Sequence, residues 1–183
     1  MVDNSEMRIA VGSSGSPPSS ATAIALRANG HLSVPVLEIR GGSDLSERFE
    51  IRKPRQEVPL EPGMVVVIDP ENPGTLMISS KTYDRRVAGI ISGAGGLKPG
   101  MMMGQEGTAA NGASPVALTG RVYCWADASK GPIEPGDLLT SSATPGHAMK
   151  VTDHTKAQGA VIGKAMSGLA EGRGLVLVLV CLQ

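Results

Sequence analysis

Short runs of aliphatic and β-branched residues, separated by Pro-Gly turns, recur along most of this chain. The 183 residues include 24 Gly and 13 Pro, whereas aromatic residues account for only 2%. The run Met64–Ile68, for example, lies between Pro62-Gly63 and Pro73-Gly74. β-Branched runs bounded by turns favour short strands, and no stretch shows a sustained helical period. We therefore expect an all-β fold with an aliphatic core, built as a compact, meander-rich β-barrel.

Three other segments refine this expectation. Apolar runs at 76–78, 87–91 and 116–125 predict further strands, the last with a bulge at Gly120. Leu175–Leu182 is an uninterrupted apolar run, which predicts a central strand buried on both faces. The nearest approach to a helical pattern is Thr155–Met166, where two glycines interrupt it.

Segments 61–92 and 134–166 share one scheme. Each opens on Glu-Pro-Gly, continues into an apolar pair, turns at Pro-Gly and reaches a glycine-containing apolar run. The interval from first to last glycine is nearly equal, from Gly63 to Gly89 and from Gly136 to Gly163. Two similar meanders from an internal duplication would explain the match. Chance recurrence is the alternative, because Pro-Gly turns are common in β proteins.

Residues 1–42 differ from the remainder. Residues 1–23 are rich in Ser, Gly, Ala and Pro, a composition that does not bury a core. Beyond them apolar residues alternate with polar ones, at Ile24, Leu26, Ala28, Leu32, Val34 and Val36. This is the period of a half-buried strand, and so short a segment cannot bury that face within itself. It must pair with the main domain or with copies of itself, and the glycines at 41–42, which separate it from the domain, favour copies. We expect residues 1–42 to form an extended arm of this kind, and residues 43–183 to form the globular β domain.

The charges argue against two classes of partner. Lys and Arg number 17, as do Asp and Glu, so the net charge is zero. General nucleic-acid binders and anionic-membrane binders need a basic surface, so we expect no nucleic acid and no membrane partner. The N-terminus has no apolar run of the signal-peptide type. Synthesis in a bacterial-type cytoplasm fits these observations.

The common enzyme signatures are missing from the sequence. It contains no Walker-type phosphate loop, no G-x-S-x-G and no HExxH. A hairpin would bring His147, Asp153 and His154 together, but a metal site needs three or four convergent ligands. We interpret these histidines as surface residues and predict no metal and no cofactor. Cys124 and Cys181 both lie in apolar runs and are interpreted as free thiols rather than a disulfide.

The stretch Gly41–Phe49 joins the arm to the domain and holds the one constellation with potential chemistry. Its two glycines indicate a hinge. A peptide bond hydrolyses itself when a carboxylate or hydroxyl is held against its carbonyl. Ser43, Asp44 and Glu47 supply such groups, one carboxylate as base and the other as acid. The alternative is a helix N-cap in which Glu47 reaches back to the turn that Asp44 begins, and spacing alone favours this cap.

The same residues carry a resemblance to a known family. Ser43, Asp44 and Glu47 form a Ser-Asp-x-x-Glu pattern, followed by Phe49, a Pro-Gly-led strand with an acidic turn at 62–69 and the Val-x-Gly-Ile strand at 87–92. Segment 43–183 thus resembles the C-terminal intramolecular-chaperone, self-cleaving domain of phage tail spikes and pre-neck appendages. Residues 26–34 are similar to repeats of trimeric tail-fibre shafts. The resemblance implies a homotrimer in a phage or phage-like particle, with cleavage between Ser43 and Asp44.

We therefore expect a structural assembly protein, the trimeric terminus of a tail fibre or spike that registers three chains. A receptor-binding tip for host surface glycans is one alternative, although such tips stack sugars on exposed aromatics and this chain has one Trp, two Tyr and one Phe. A single-turnover self-protease is another. We expect the Ser43–Asp44 bond to stay intact in most molecules, because mobile glycines upstream weaken the geometry that attack requires.

Overall fold

A computed structural model describes residues 37–52 and 59–182. From Glu38 onward they belong to one compact unit. The strands are β1 (Asp44–Phe49), β2 (Ile51–Arg52), β3 (Val65–Ile68), β4 (Leu76–Ile78), β5 (Val87–Ile91), β6 (Met101–Met103), β7 (Ser114–Asp127), β8 (Leu138–Ser141), β9 (Ala148–Lys150), β10 (Val161–Ala165) and β11 (Arg173–Cys181). A 3-10 turn at Ala94–Gly96 and a one-turn helix, α1 (His154–Ala157), complete the described elements. The all-β prediction is confirmed, whereas most of the predicted arm lies outside the described residues.

Five strands, including the long strand β7, close into a barrel. β7 pairs with β11, the circuit continues through β10, β8 and β9, and β9 returns to β7 in parallel. The remaining strands extend from the first half of β7, where β5, β3, β4 and β2 follow one another on one side. On the other side β1 lies between β7 and β6. The segment that follows the predicted arm is therefore built into the sheet beside the barrel.

The core is aliphatic, as the composition predicts. One cluster fills the barrel and includes Val122, Leu139, Ile162 and Val178, all essentially without solvent contact. A second cluster lies under the outer strands and includes Val66 and Val116. Burying each such side chain contributes about 1.5–3 kcal/mol, which allows a chain with few aromatic residues to fold.

Segments 61–92 and 134–166 form the same three-stranded antiparallel unit, called a meander here although its first strand, and not its second, lies in the middle. In the first β3 pairs with β4 and β5, and in the second β8 pairs with β9 and β10. The registers correspond position by position: Val66 opposes Ile78 and Gly89, as Leu139 opposes Lys150 and Gly163. Each meander also has a register shift between its first and third strands, at the residue that precedes this glycine in the chain.

The opening turns of the two meanders correspond as well. Gly63 and Gly136 adopt left-handed backbone angles, with φ of 92° and 97°. Their N–H groups donate to equivalent carbonyls, that of Ile91 at 2.7 Å and that of Ala165 at 2.8 Å. The Glu-Pro-Gly sequence thus produces one turn geometry twice, because only glycine adopts these angles without strain.

The prediction that Leu175–Leu182 is buried on both faces is wrong. β11 is central, but its residues alternate, with Val176, Val178 and Val180 in the core. Leu179 lies on the opposite face and is 42% exposed. A barrel strand has one face toward the core and one toward the outside, so an unbroken apolar run here leaves apolar side chains on the outer surface.

Two smaller differences concern local structure. Segment 155–166 splits into α1 and β10, and Asp153 caps α1 by accepting a hydrogen bond from the N–H of Thr155. The bulge in β7 lies at Leu118, because the register with β1 passes from Thr119 directly to Ala117. Gly120 serves a different purpose: an added Cβ there would lie 2.6 Å from the carbonyl oxygen of Ser43.

Candidate functional site

The junction residues Ser43–Glu47 lie along a strand. β1 pairs in parallel with β6, where Leu45 opposes Met101, and antiparallel with β7, where Leu45 opposes Thr119. The helix-cap interpretation of Asp44 and Glu47 is therefore wrong. Neighbouring strands on both sides take up the backbone hydrogen bonds of this segment, so it does not turn into a helix.

Asp44 is the most deeply buried of the predicted site residues, with 6% of its surface exposed. Its Oδ2 accepts a hydrogen bond of 2.5 Å from the hydroxyl of Ser46, and its Oδ1 accepts one of 3.1 Å from the hydroxyl of Ser92. A buried carboxylate is costly unless it is hydrogen-bonded. These two hydroxyls therefore hold the Asp44 side chain inside the protein and connect β1 to the end of β5.

Ser43 is held by the backbone of its neighbours. Its N–H donates to the carbonyl of Lys98 at 3.1 Å, and its carbonyl accepts from the N–H of Arg121 at 3.0 Å. Its hydroxyl donates to the carbonyl oxygen of Arg121 at 2.8 Å. The carbonyl of the Ser43–Asp44 bond is thus engaged in a ladder-type hydrogen bond.

Glu47 does not join Asp44. Successive side chains of a strand point to opposite faces, and the register shift between β1 and β7 falls on β7, so β1 keeps its alternation. Asp44 and Ser46 are therefore inside, while Glu47 is on the outer face and partly exposed. The structure brings Ser43 and Asp44 together with two serines that the sequence analysis missed. The spacing of Ser46 could have identified it from the sequence, since residues two apart lie on the same face of a strand.

The second glycine of the predicted hinge, Gly42, packs closely against the backbone of a neighbouring loop. An added Cβ on Gly42 would lie 2.2 Å from the carbonyl oxygen of Pro99, whereas Gly41 has open space around it. Gly42 thus permits the chain to pass directly against the loop before β6. The joint between Gly42 and Asp44 is fixed by packing and hydrogen bonds on both sides.

The candidate metal ligands and the cysteines form no reactive site. Among the residues that the structure describes, no group of three His, Cys, Asp or Glu side chains converges. His147 packs beside Trp125, with ring centroids 6.0 Å apart. Burial raises the pKa of the Cys124 thiol to about 12, which leaves it protonated and unreactive. Both cysteines are free, as predicted.

A basic depression of about 420 Å³ lies on the surface between the two meanders. Its lining residues are Lys81, Thr82, Tyr83, Arg85, Thr155 and Lys156. Lys156 pairs with Asp153 at 3.0 Å, while Lys81 and Arg85 form no ion pair with any described residue. No local sequence pattern reveals this cluster, because its cations come from two segments more than 70 residues apart.

Tyr83, one of the lining residues of this depression, has an unusual backbone conformation. It has a positive φ of 53°, which is rare for a bulky residue. Its hydroxyl oxygen accepts hydrogen bonds of 2.9 Å from the N–H groups of Thr152 and Asp153. Burial alone raises the pKa of Tyr83, but the hydrogen bonds from Thr152 and Asp153 outweigh burial and lower it. The ring is thereby held at the junction of the two meanders.

No helix among residues 37–52 and 59–182 is long and apolar enough to cross a membrane. The sequence matches no protein-family model and no functionally curated protein.

Proposed function

We propose that this protein is a homotrimeric assembly protein, the terminus of a phage-type tail fibre or spike, whose β domain sets the register of three N-terminal arms. The observation that carries the proposal is the fixed joint at Asp44. Its carboxylate accepts hydrogen bonds from Ser46 and Ser92 inside the protein, and Ser43 is bonded to Arg121 on the other side.

A fixed joint matters because it transmits orientation. If the chain left the domain through a flexible linker, three domains would associate without defining how their arms align. A strand built between β6 and β7 instead gives each arm a defined starting position. The apolar alternation of residues 24–36 then supplies the faces that three aligned arms bury against one another.

Native mass spectrometry of the full chain tests this function. We expect a species of three times the chain mass of 18.8 kDa. Val34→Asp places a charge on the apolar phase of the arm, while Ser33→Asp places it on the polar phase. We expect the trimer to weaken in the first variant and to persist in the second. A monomeric wild type at micromolar concentration would overturn the proposal.

A receptor-binding tip is the second candidate, and the basic depression favours it. Lys81 and Arg85 pair with no carboxylate among the described residues and lie beside Tyr83 and Thr155. This arrangement suits an acidic sugar such as a sialic or uronic acid. We expect the double variant Lys81→Ala, Arg85→Ala to lose binding on an array of acidic glycans. Lys98→Ala and Lys130→Ala, at exposed cations outside the depression, are the matched controls. Equal binding by all these proteins would remove this candidate.

Self-cleavage is not part of the proposal. The shallow groove at the Ser43–Asp44 bond has Asp44 as the one carboxylate among its lining residues, and Glu47 is on the other face of β1. The described lining residues therefore lack the second carboxylate that the two-carboxylate mechanism needs to protonate the leaving amine. We expect the intact mass of wild type, Asp44→Asn and Glu47→Gln to stay unchanged over days at pH 4 to 8. Fragments that start at Asp44 in wild type alone would contradict this.

A further inference from the structure

A row of three apolar residues and one threonine crosses four adjacent strands on the outer surface beside the junction. Met101 of β6 opposes Leu45 of β1, Leu45 opposes Thr119 of β7, and Thr119 opposes Cys181 of β11. Directly opposed residues point to the same face of a sheet. The opposite face of the same strands is the one that carries buried Asp44 and Val180, so this row faces outward. We call these four residues the outer row.

Further apolar residues lie next to the outer row. Leu179 is on the same face of β11 as Cys181, two residues away, and Ile39 lines the groove that contains Leu45 and Met101. Met101, Leu179 and Ile39 are each about 40% exposed. Contiguous exposed apolar surface on a soluble domain marks an interaction site, and methionine is enriched at the centres of such sites.

Charges flank the outer row with opposite sign at its two sides. Glu47 follows Leu45 on β1 and opposes Met103. On the other side Arg121 opposes Leu179, and Lys164 opposes Leu179 from β10. None of the three forms an ion pair with a residue in the described ranges.

We propose that the outer row is the surface through which copies of this chain meet head to tail in the assembled trimer. A head-to-tail contact that closes around an axis joins one side of a surface to the other side of its neighbour. The acidic side of one copy, at Glu47, then faces the basic side of the next, at Arg121 and Lys164. This inference rests on the proposed function, because three aligned arms would place the surfaces around their starting points, next to Ile39 and Gly42, against one another.

Cys181 provides a probe within the outer row itself. Cys124 is completely buried and protonated, so maleimide under native conditions reports on Cys181. In the wild-type trimer we expect slow labelling, because a neighbouring copy covers the row. Met101→Lys places a charge at the far end of the row, three strands from Cys181, and we expect it to accelerate labelling at least tenfold. Ile68→Lys, at an exposed apolar residue on β3 outside the row, is the matched control and should label as wild type does.

A charge exchange tests the head-to-tail arrangement. Glu47→Arg should lower the fraction of trimer in native mass spectra, and the added change Arg121→Glu should restore it. A trimeric wild type in which Met101→Lys leaves the labelling of Cys181 unchanged would overturn this inference alone. A wild type that is not a trimer would overturn the proposed function, and the inference with it.

Discussion

The meanders 61–92 and 134–166 have the same turns, registers and bulge, yet they occupy different settings. The second closes the barrel, because β10 pairs with β11 and β9 pairs with β7. Among the described strands the first meander pairs with β7 through β5 alone, and its sheet ends on the other side at the short strand β2. The local sequence therefore specifies the meander. Whether the sheet then closes into a barrel depends on which strands pair with the two edges of the meander.

The correspondence extends one strand further than the sequence match. Ile91 opposes Val116 on β7, and the equivalent Ala165 opposes Val178 on β11. The start of β7 thus pairs with the third strand of the first meander in the same way that β11 pairs with the third strand of the second. Substitutions at equivalent residues can therefore measure how much each setting contributes to the stability of the protein.

The largest effect is expected from a charge in the strand next to each meander. Val116 and Val178 are both fully buried. An unpaired buried charge costs about 3–5 kcal/mol. We expect Val178→Asp to give no soluble folded protein, because it interrupts the closed barrel. Val116→Asp should give soluble protein with a lower melting temperature, because the outer strands separate first. Equal loss of soluble protein in both would show that the two settings are energetically one unit.

The glycine at each bulge should give the next largest effect. An added Cβ at Gly163 would lie 2.2 Å from the carbonyl oxygen of Leu179, and one at Gly89 would lie 2.5 Å from that of Ala117. Backbone atoms of a central strand do not yield easily, so we expect Gly163→Ala to cost about 3 kcal/mol. Gly89→Ala should cost a similar amount, because strain from its positive φ adds to the smaller overlap. Urea midpoints measure both. A neutral effect at either position would show that the close approach is not required there.

The sequence predicted β7, β11 and the strands and shared turns of the two meanders, because these depend on local residues such as Pro62-Gly63 and the run Met64–Ile68. It did not predict β1, β2 or β6. It failed where a neighbouring strand decides. Leu179 is apolar yet exposed, since the outer face of β11 is set by barrel closure, and Asp44 is a strand residue because β6 and β7 take up its backbone. The hydroxyl of Ser92, 48 residues away, completes the Asp44 site, and no spacing rule links the two.

The opening turns allow a finer comparison. Gly63 and Gly136 have nearly the same positive φ, but an added Cβ at Gly63 would lie 3.1 Å from side-chain atoms of Ala94 and Trp125, whereas Gly136 has open space. We expect Gly136→Ala to cost about 1 kcal/mol from backbone strain alone, and Gly63→Ala about 2 kcal/mol because crowding adds to the strain. Chemical denaturation distinguishes these values. The same cost at both positions would mean that the packing around Gly63 relaxes.

The smallest expected effect comes from making one turn chemically like the other. Asp69 and Ser142 are equivalent: the N–H of Asp69 donates to Thr75 and that of Ser142 to His147. The Asp69 carboxylate also lies 2.5 Å from Nε of Arg52 and accepts from Asn72, while the Ser142 hydroxyl accepts from the N–H of Thr144. Asp69→Ser should therefore keep the turn and remove the ion pair.

The pH dependence separates those two roles of Asp69. Burial alone raises the pKa of its carboxyl, but hydrogen bonds from Asn72 and the Glu71 N–H, together with Arg52, lower it overall. The charged form is thus favoured by folding, so its contribution to stability is complete above the unfolded pKa of about 3.9 and is lost as pH falls through the lower folded value.

Wild type should exceed Asp69→Ser in urea midpoint at pH 7, and this difference in urea midpoint should narrow below about pH 4. Asp69→Asn, which keeps an acceptor without the charge, is the control and should behave like Asp69→Ser. A gap that stays constant from pH 7 to pH 2 would show that the charge of Asp69 contributes nothing to the difference between the two turns.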